Sequence, residues 1–290
     1  MPCGIPDFRQ TSFFSIFLIP DQRFLSLGMK LPIYQVDAFT DHLFAGNPAA
    51  VVPIGDEWPI DDVLQKIAIE NNLSETAFFQ DQGDFFDLRW FTPEFEIDLC
   101  GHATLASAHV IFNHMGYKKD KIDFETMSGP LVVKRKEHLL QLDFPSRKPE
   151  PVEMMEGFLQ AFNHNPKEVL KSRDYVLVYE SEAEVRSLKV NPSLLSPEQF
   201  NKGGIICTAP GDGVDFVSRF FLPGASVFED PVTGSSHCSL IPYWSEKLGK
   251  NEMIAYQLSE RKGYLNCIAL GERVLIAGNA VTYMKGEIEV

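Results

Sequence analysis

The chain has 290 residues, enough for two domains of roughly 130 residues each. Apolar residues make up 44% and charged residues 23%, the mixture of a globular protein that buries a substantial core and not of a disordered one. Asp plus Glu outnumber Lys plus Arg by 40 to 26, for a net charge of −14, which opposes binding to nucleic acid or to anionic lipid.

The five cysteines (Cys3, Cys100, Cys207, Cys238, Cys267) are odd in number and contain no C-x-x-C pair, the pattern of free thiols in a reducing, cytoplasmic compartment. Apolar runs such as Phe13 to Pro20 and Leu139 to Phe144 fall far short of the roughly 20 residues of a membrane span. Residues 1–28 lack a basic n-region and a small-residue cleavage site, so they do not read as a signal peptide. Met29 stands immediately before a strand-like run, and residues 1–28 are read as an N-terminal extension, from an upstream start codon or an appended segment.

From Lys30 the chain alternates strands and short helices. Leu31 to Phe39 is a strand, Phe44-Ala-Gly-Asn-Pro48 a turn and Ala49 to Val52 a buried strand. Ile60, Val63, Leu64 and Ile67 recur at helical spacing, and Asn71-Asn72 closes that helix. Thr76 to Phe79 and Phe86 to Phe91 are strands. Ala103 to Phe112 is helical and small or apolar on nearly every face, so it is expected to be buried all round, with a sheet wrapped about it. Arg147-Lys-Pro-Glu-Pro151 is the expected linker. This divides the chain into residues 29–150 and 151–290, with the last strand crossing back to the first domain.

The second part repeats the first in outline. Arg89-Trp-Phe-Thr-Pro93 before Gly101-His102 has a counterpart in Arg219-Phe-Phe-Leu-Pro223 before Gly234-Ser235. In both, an aromatic strand ends at Pro, an acidic loop follows and Gly opens a helix, which suggests internal duplication. Pro242 lies in the second helix and is expected to bend it or mark its effective start.

A helix N-terminus offers free N–H groups and partial positive charge, so two of them facing across a cleft would grip a carboxylate. Each Gly could equally serve only a tight strand-to-helix turn. Glu75 stands where a helix gives way to a buried strand, a position that suits a carboxylate to general acid or base work, or else it is a solvated loop residue. Asp230 is a candidate acceptor for a substrate hydroxyl or a partner for histidine, or an Asx cap. His102 is a candidate proton carrier, or an imidazole satisfied by backbone. Cys100, before a helix start, could be an activated thiolate. A racemase needs two bases, however, and the position matching Cys100 is Thr233, which cannot serve. No G-x-S-x-G, G-x-x-x-x-G-K-[ST], H-E-x-x-H or G-x-G-x-x-G motif and no metal spacing occurs, so neither cofactor nor metal is expected.

Phe44-Ala-Gly-Asn-Pro-Ala-Ala50, Asn72-Leu-Ser-Glu-Thr-Ala77, Arg89-Trp-Phe-Thr-Pro93, Cys100-Gly-His-Ala-Thr104 and Glu229-Asp-Pro-Val-Thr-Gly-Ser235, taken together, resemble the PhzF family of phenazine-biosynthesis-like isomerases. Within it the chain resembles the animal phenazine-biosynthesis-like domain-containing proteins and their bacterial relatives. The resemblance implies a diaminopimelate-epimerase-like α+β fold: two pseudo-symmetric domains, each a mostly antiparallel barrel-like sheet around a central helix, with the site between them. It also implies a cofactor-independent isomerase that moves a proton or double bond, with Glu75 as the proton shuttle and His102, Asp230 and Ser235 lining the site. Gly101, Gly234, Cys100, Thr233 and Asn47 are the expected substrate-binding positions. Apolar residues near Phe44, Phe78 and Tyr243 are candidates for side-chain contacts. The expected partner is a small anionic carboxylate metabolite and the expected assembly a homodimer. The rival classes are a non-catalytic binding or scaffold protein and a Cys100-dependent racemase.

Overall fold

The computed structural model describes Met1, residues 28–200 and residues 203–290. The expected N-terminal extension therefore lies, but for Met1 and Gly28, outside the described residues. The first part of the chain runs β1 (Lys30–Ala38), β2 (Asn47–Ile54), α1 (Asp61–Asn71), β3 (Glu75–Asp81), β4 (Phe86–Phe91), β5 (Glu96–Ile97), α2 (Gly101–His114), β6 (Lys121–Glu125), β7 (Leu131–Lys136) and β8 (Leu139–Pro145). The second continues with β9 (Glu150–Pro151), α3 (Glu156–Ala161), β10 (Glu168–Lys171), β11 (Tyr175–Val178), α4 (Glu182–Ser187), β12 (Ile205–Pro210), β13 (Phe216–Phe221), β14 (Glu229–Asp230), α5 (Gly234–Leu248), β15 (Glu252–Gln257), β16 (Gly263–Leu270), β17 (Arg273–Gly278) and β18 (Ala280–Glu289). The architecture is thus a mixed, sheet-dominated α+β fold with few helices.

In the first part β2 runs parallel to β3, β3 antiparallel to β4, β4 parallel to β6, and β6, β7 and β8 follow as antiparallel neighbours. In the second part β11 is parallel to β12, β12 antiparallel to β13, β13 parallel to β15, and β15, β16 and β17 are antiparallel neighbours. Each parallel step needs a crossover, which α1, α2, α4 and α5 supply. Two pairings tie the ends together: β8 with β17, and β1 with the last strand, β18.

α1 ends as its sequence suggests, with Asn72 at φ 50° in the left-handed conformation and its N–H on the Ala68 carbonyl. In α2 every residue from Gly101 to Phe112 is buried except His109. It packs against β1, β2, β3, β8 and β18, and its Ala-rich composition lets those strands approach. One continuous apolar core, from Tyr34 to Ile276, takes in both α2 and α5.

Pro242 does not mark the start of its helix. α5 begins at Gly234 and runs through Pro242 to Leu248. The proline has no N–H for the Cys238 carbonyl four residues back, and that oxygen accepts instead from the backbone N–H of Arg147 at 2.9 Å. The donor comes from the stretch read as a linker, whose end forms β9 on β10.

Candidate active site

α2 and α5 meet at their N-termini. A Cβ added to Gly101 would stand 3.2 Å from Gly234 Cα, so any larger residue would have to move the two helix starts apart. Around the junction, separate elements deliver four side chains. β2 opens on Asn47, parallel β3 opens on Glu75 opposite Ala49, the first turn of α2 carries His102, and β14 carries Asp230 just before α5. Asn47 is reached through a turn in which Gly46 has φ 65° and a Cβ would lie 2.1 Å from the Ala38 carbonyl oxygen, so no other residue fits there.

Asn47 is fully buried and bridges the two parts of the chain. Its Nδ2 donates to Asp230 Oδ1 at 2.8 Å and to the Val232 carbonyl at 2.9 Å, and lies 3.2 Å from His102 Nδ1. His102 Nε2 lies 3.0 Å from Glu75 Oε2, off the line a hydrogen bond needs, and both atoms lack a hydrogen-bond partner among the described residues, as does Asn47 Oδ1. Glu75 and His102 face each other as an ion pair, which leaves Asn47 Oδ1 as the buried polar atom of the cluster still to be satisfied. Asp230 Oδ2 accepts from Thr233 Oγ1, so its carboxylate is turned into the cluster and is not an Asx cap.

Burial is the strongest influence on His102 and works against its charge, but Cys100 and Glu75 carry it well above the ordinary histidine value. Burial also pushes the Cys100 thiol up, with Glu75 adding to the effect. Raised from an already high value, the Cys100 thiol stays protonated at pH 7, and Glu75 is the acidic side chain that faces His102 Nε2. Burial raises Asp230 to about 6, with Glu75 adding to it and His102, Thr233 and Asn47 opposing. The potential ligand atoms of Glu75, Cys100 and His102 fall within 4.8 Å of one another. However, Cys100 Sγ sits 3.5 Å from Nδ1 while Glu75 sits at Nε2. One metal ion could not take the ring together with both other groups unless the ring turned.

Several supporting residues had no signal in the sequence. Gln257 is fully buried. Its Oε1 accepts from Thr233 N at 2.8 Å, while its Nε2 donates to the Asp230 carbonyl at 2.8 Å and to Thr233 Oγ1 at 3.1 Å, locking the turn between Asp230 and α5. His237 donates from Nδ1 to the Thr233 carbonyl at 2.8 Å, and burial pushes it down to about 4, so it is neutral. Two arginine clamps brace the loops before the helices. Arg89 grips Glu96 at 2.7 and 2.8 Å, and Arg219 grips Glu229 at the same two distances. Each guanidinium also lies over the phenylalanine two residues on, Phe91 or Phe221. The repeated arginines and the acidic loops were visible, but their pairing was not.

Other candidates fall elsewhere. Ser235 is half-buried in the first turn of α5 and makes no side-chain hydrogen bond to the cluster among the described residues. Phe78 stacks edge-on against Phe91 inside a separate apolar cluster, and the Tyr243 hydroxyl turns to Glu168 at 3.4 Å, so neither reaches the site. Phe44 is exposed and leans on Tyr283.

A sheet-dominated α+β chain with two helix starts meeting at a buried carboxylate, imidazole and amide cluster has the fold of the epimerase-like proteins. A hydroxyproline epimerase from Agrobacterium vitis shares it at a TM-score of 0.57 and 9% identity, over 90% of this chain and 93% of that one. The chain belongs to the PhzC-PhzF family, described as phenazine biosynthesis-like protein, which it matches over residues 36–286. It is 47% identical to an uncharacterized isomerase of Pseudomonas aeruginosa, over 90% of this chain and all of that one. It is 42% identical to the human phenazine biosynthesis-like domain-containing protein, over 90% and 99%. A PhzF-family crystal structure from Enterococcus faecalis superimposes with a TM-score of 0.86 at 45% identity, over 90% of this chain and all of that one. Among the described residues no helix is long and apolar enough to cross a membrane.

Proposed function

We propose that the protein is an isomerase that shifts a proton, and with it a double bond, within a small unsaturated carboxylate, needing no cofactor. The observation that carries this reading is the buried pair of Glu75 Oε2 and His102 Nε2, 3.0 Å apart, with Asn47 Oδ1 unpartnered nearby, beside two helix starts whose free N–H groups suit a carboxylate. Glu75 takes a proton from a carbon next to the unsaturated system, the electron pair moves through that system, and Glu75 returns the proton to another carbon on the same face. The carboxylate is restored, so one base suffices. His102 and Asp230 steady the developing charge, and backbone amides of Gly101, His102, Gly234 and Ser235 hold the substrate carboxylate.

Burial and the raised Cys100 thiol favour leaving the proton transfer to Glu75 over a Cys100-dependent racemase. The isomerase names of the relatives agree with this class and favour it over a scaffold. We also propose two pseudo-symmetric domains, residues 29–150 and 151–290, each a largely antiparallel sheet around α2 or α5. The matching order of parallel and antiparallel steps and the two arginine clamps support that division.

The test is solvent-deuterium exchange. Small unsaturated carboxylic acids are screened for deuterium incorporation by the wild type, and the positive acid is then given to Glu75→Gln. Exchange should vanish while binding of the acid, followed by calorimetry, persists. Exchange that continues in Glu75→Gln removes Glu75 as the base.

A further inference from the structure

A second cleft, of about 670 Å3, opens between the two parts of the chain away from the Glu75 cluster. Its floor is apolar, with Phe39 and Leu258 buried, and one wall carries Tyr256 and Tyr264 with ring centroids 5.5 Å apart. Its lining carries more cationic than anionic side chains. In a chain of net charge −14, the lining holds Arg186, Arg261 and Lys262 against one carboxylate, Asp41, which is already 2.8 Å from His42 Nδ1.

The three cations are engaged to different degrees. Arg186 is paired with Glu182. Arg261 donates from Nε to the Gly46 carbonyl at 2.9 Å, and from Nη2 to Asp37 Oδ1 at 2.8 Å and the Ala45 carbonyl at 3.0 Å. Its Nη1 makes no hydrogen bond among the described residues, and Lys262 has no carboxylate within ion-pair range among them. Guanidinium and ammonium groups at the edge of an aromatic wall match a planar ring that bears a carboxylate.

We propose that this cleft is a second ligand site that takes a small aromatic carboxylate, held by Arg261 and Lys262 and covered by the tyrosine rings. The cleft is also wired to the Glu75 cluster. Arg261 holds the carbonyls of the two residues before Asn47, and the Gly46 N–H in turn donates to the Lys262 carbonyl at 2.7 Å. Phe39 is the second link. It has φ 62°, a conformation rare for an aromatic residue, and its ring packs between Gly278 and the α5 start at Gly234. A ligand that draws on Arg261 therefore reaches the Asn47 amide that donates to Asp230. Its effect on turnover rests on the function proposed above, whereas the binding does not.

The full-length protein is titrated with sodium benzoate, with benzylamine as the charge control, by calorimetry and by amide NMR. Benzoate should bind and shift the amide signals of Ala45, Gly46 and Asn47, and benzylamine should not bind. Lys262→Gln, at an exposed position, should weaken benzoate at least about fivefold, Tyr264→Leu should weaken it comparably, and Glu75→Gln should leave it unchanged. No benzoate binding, or binding that ignores Lys262→Gln and Tyr264→Leu, overturns the proposal. In the latter case benzoate sits outside this cleft, and the function proposed for Glu75 still stands.

Discussion

Gly101 and Gly234, 133 positions apart by number, touch backbone to backbone: a Cβ on the first would lie 3.2 Å from Cα of the second, and the reverse distance is 3.3 Å. Neither neighbour is a flexible side chain, so a methyl group at either position must push one helix start off the other.

Gly101→Ala and Gly234→Ala should each therefore destabilise the fold by about 1–3 kcal/mol, although alanine ordinarily favours a helix by up to about 1 kcal/mol over glycine. Denaturant unfolding measures this, and an alanine variant as stable as the wild type would show that the two starts can part at little cost.

Asp230 makes folding depend on pH with a definite sign. Burial lifts it from 3.8 to about 6, so between those values the folded state keeps a proton that the unfolded chain has lost. Its stabilising share is fully present below about pH 4 and is lost as the pH rises through about 6, a change of roughly 3 kcal/mol. Asp230→Asn should flatten that part of the stability profile in urea unfolding from pH 4 to 7; an unchanged slope would mean that another group titrates there.

Cys100 is 5% exposed and its thiol is pushed up by burial. Iodoacetamide at pH 7 should leave it unmodified in the native protein and alkylate it in urea, read by peptide mass spectrometry. Rapid native alkylation at Cys100 would revive the thiol-based reading.

Gln257→Leu keeps the bulk but strands the Thr233 N–H and the Asp230 carbonyl. Two orphaned buried groups should cost about 2–4 kcal/mol, and deuterium exchange should fall as Asp230 loosens. A variant that loses neither stability nor exchange would make Gln257 incidental.

The strands and helices were largely legible, because alternation, helical spacing and the Asn71-Asn72 stop are local signals. So were the candidates Glu75, at the edge between a helix end and a buried strand, and His102 and Asp230, beside the two glycine-led helix starts. Gln257 was not, since a glutamine at the end of a strand reads like any other until its partners are known. Pro242 misled for a related reason. Its cost to a helix is local, but the Arg147 N–H that offsets it arrives from elsewhere in the chain.

By itself, the order of residues determined the alternation of strands and short helices, the absence of a long apolar span and the two glycine-led helix starts, all of which follow from composition, periodicity and short spacing. The α+β class came with the resemblance that the motif set carries. Only the tertiary structure decided that the two starts touch, that Asn47 reaches Asp230 across 183 positions, and that Arg261 clasps the turn before Asn47. Such contacts depend on how strands pair and how helices cross between them, and long-range pairing leaves no periodic trace in either partner.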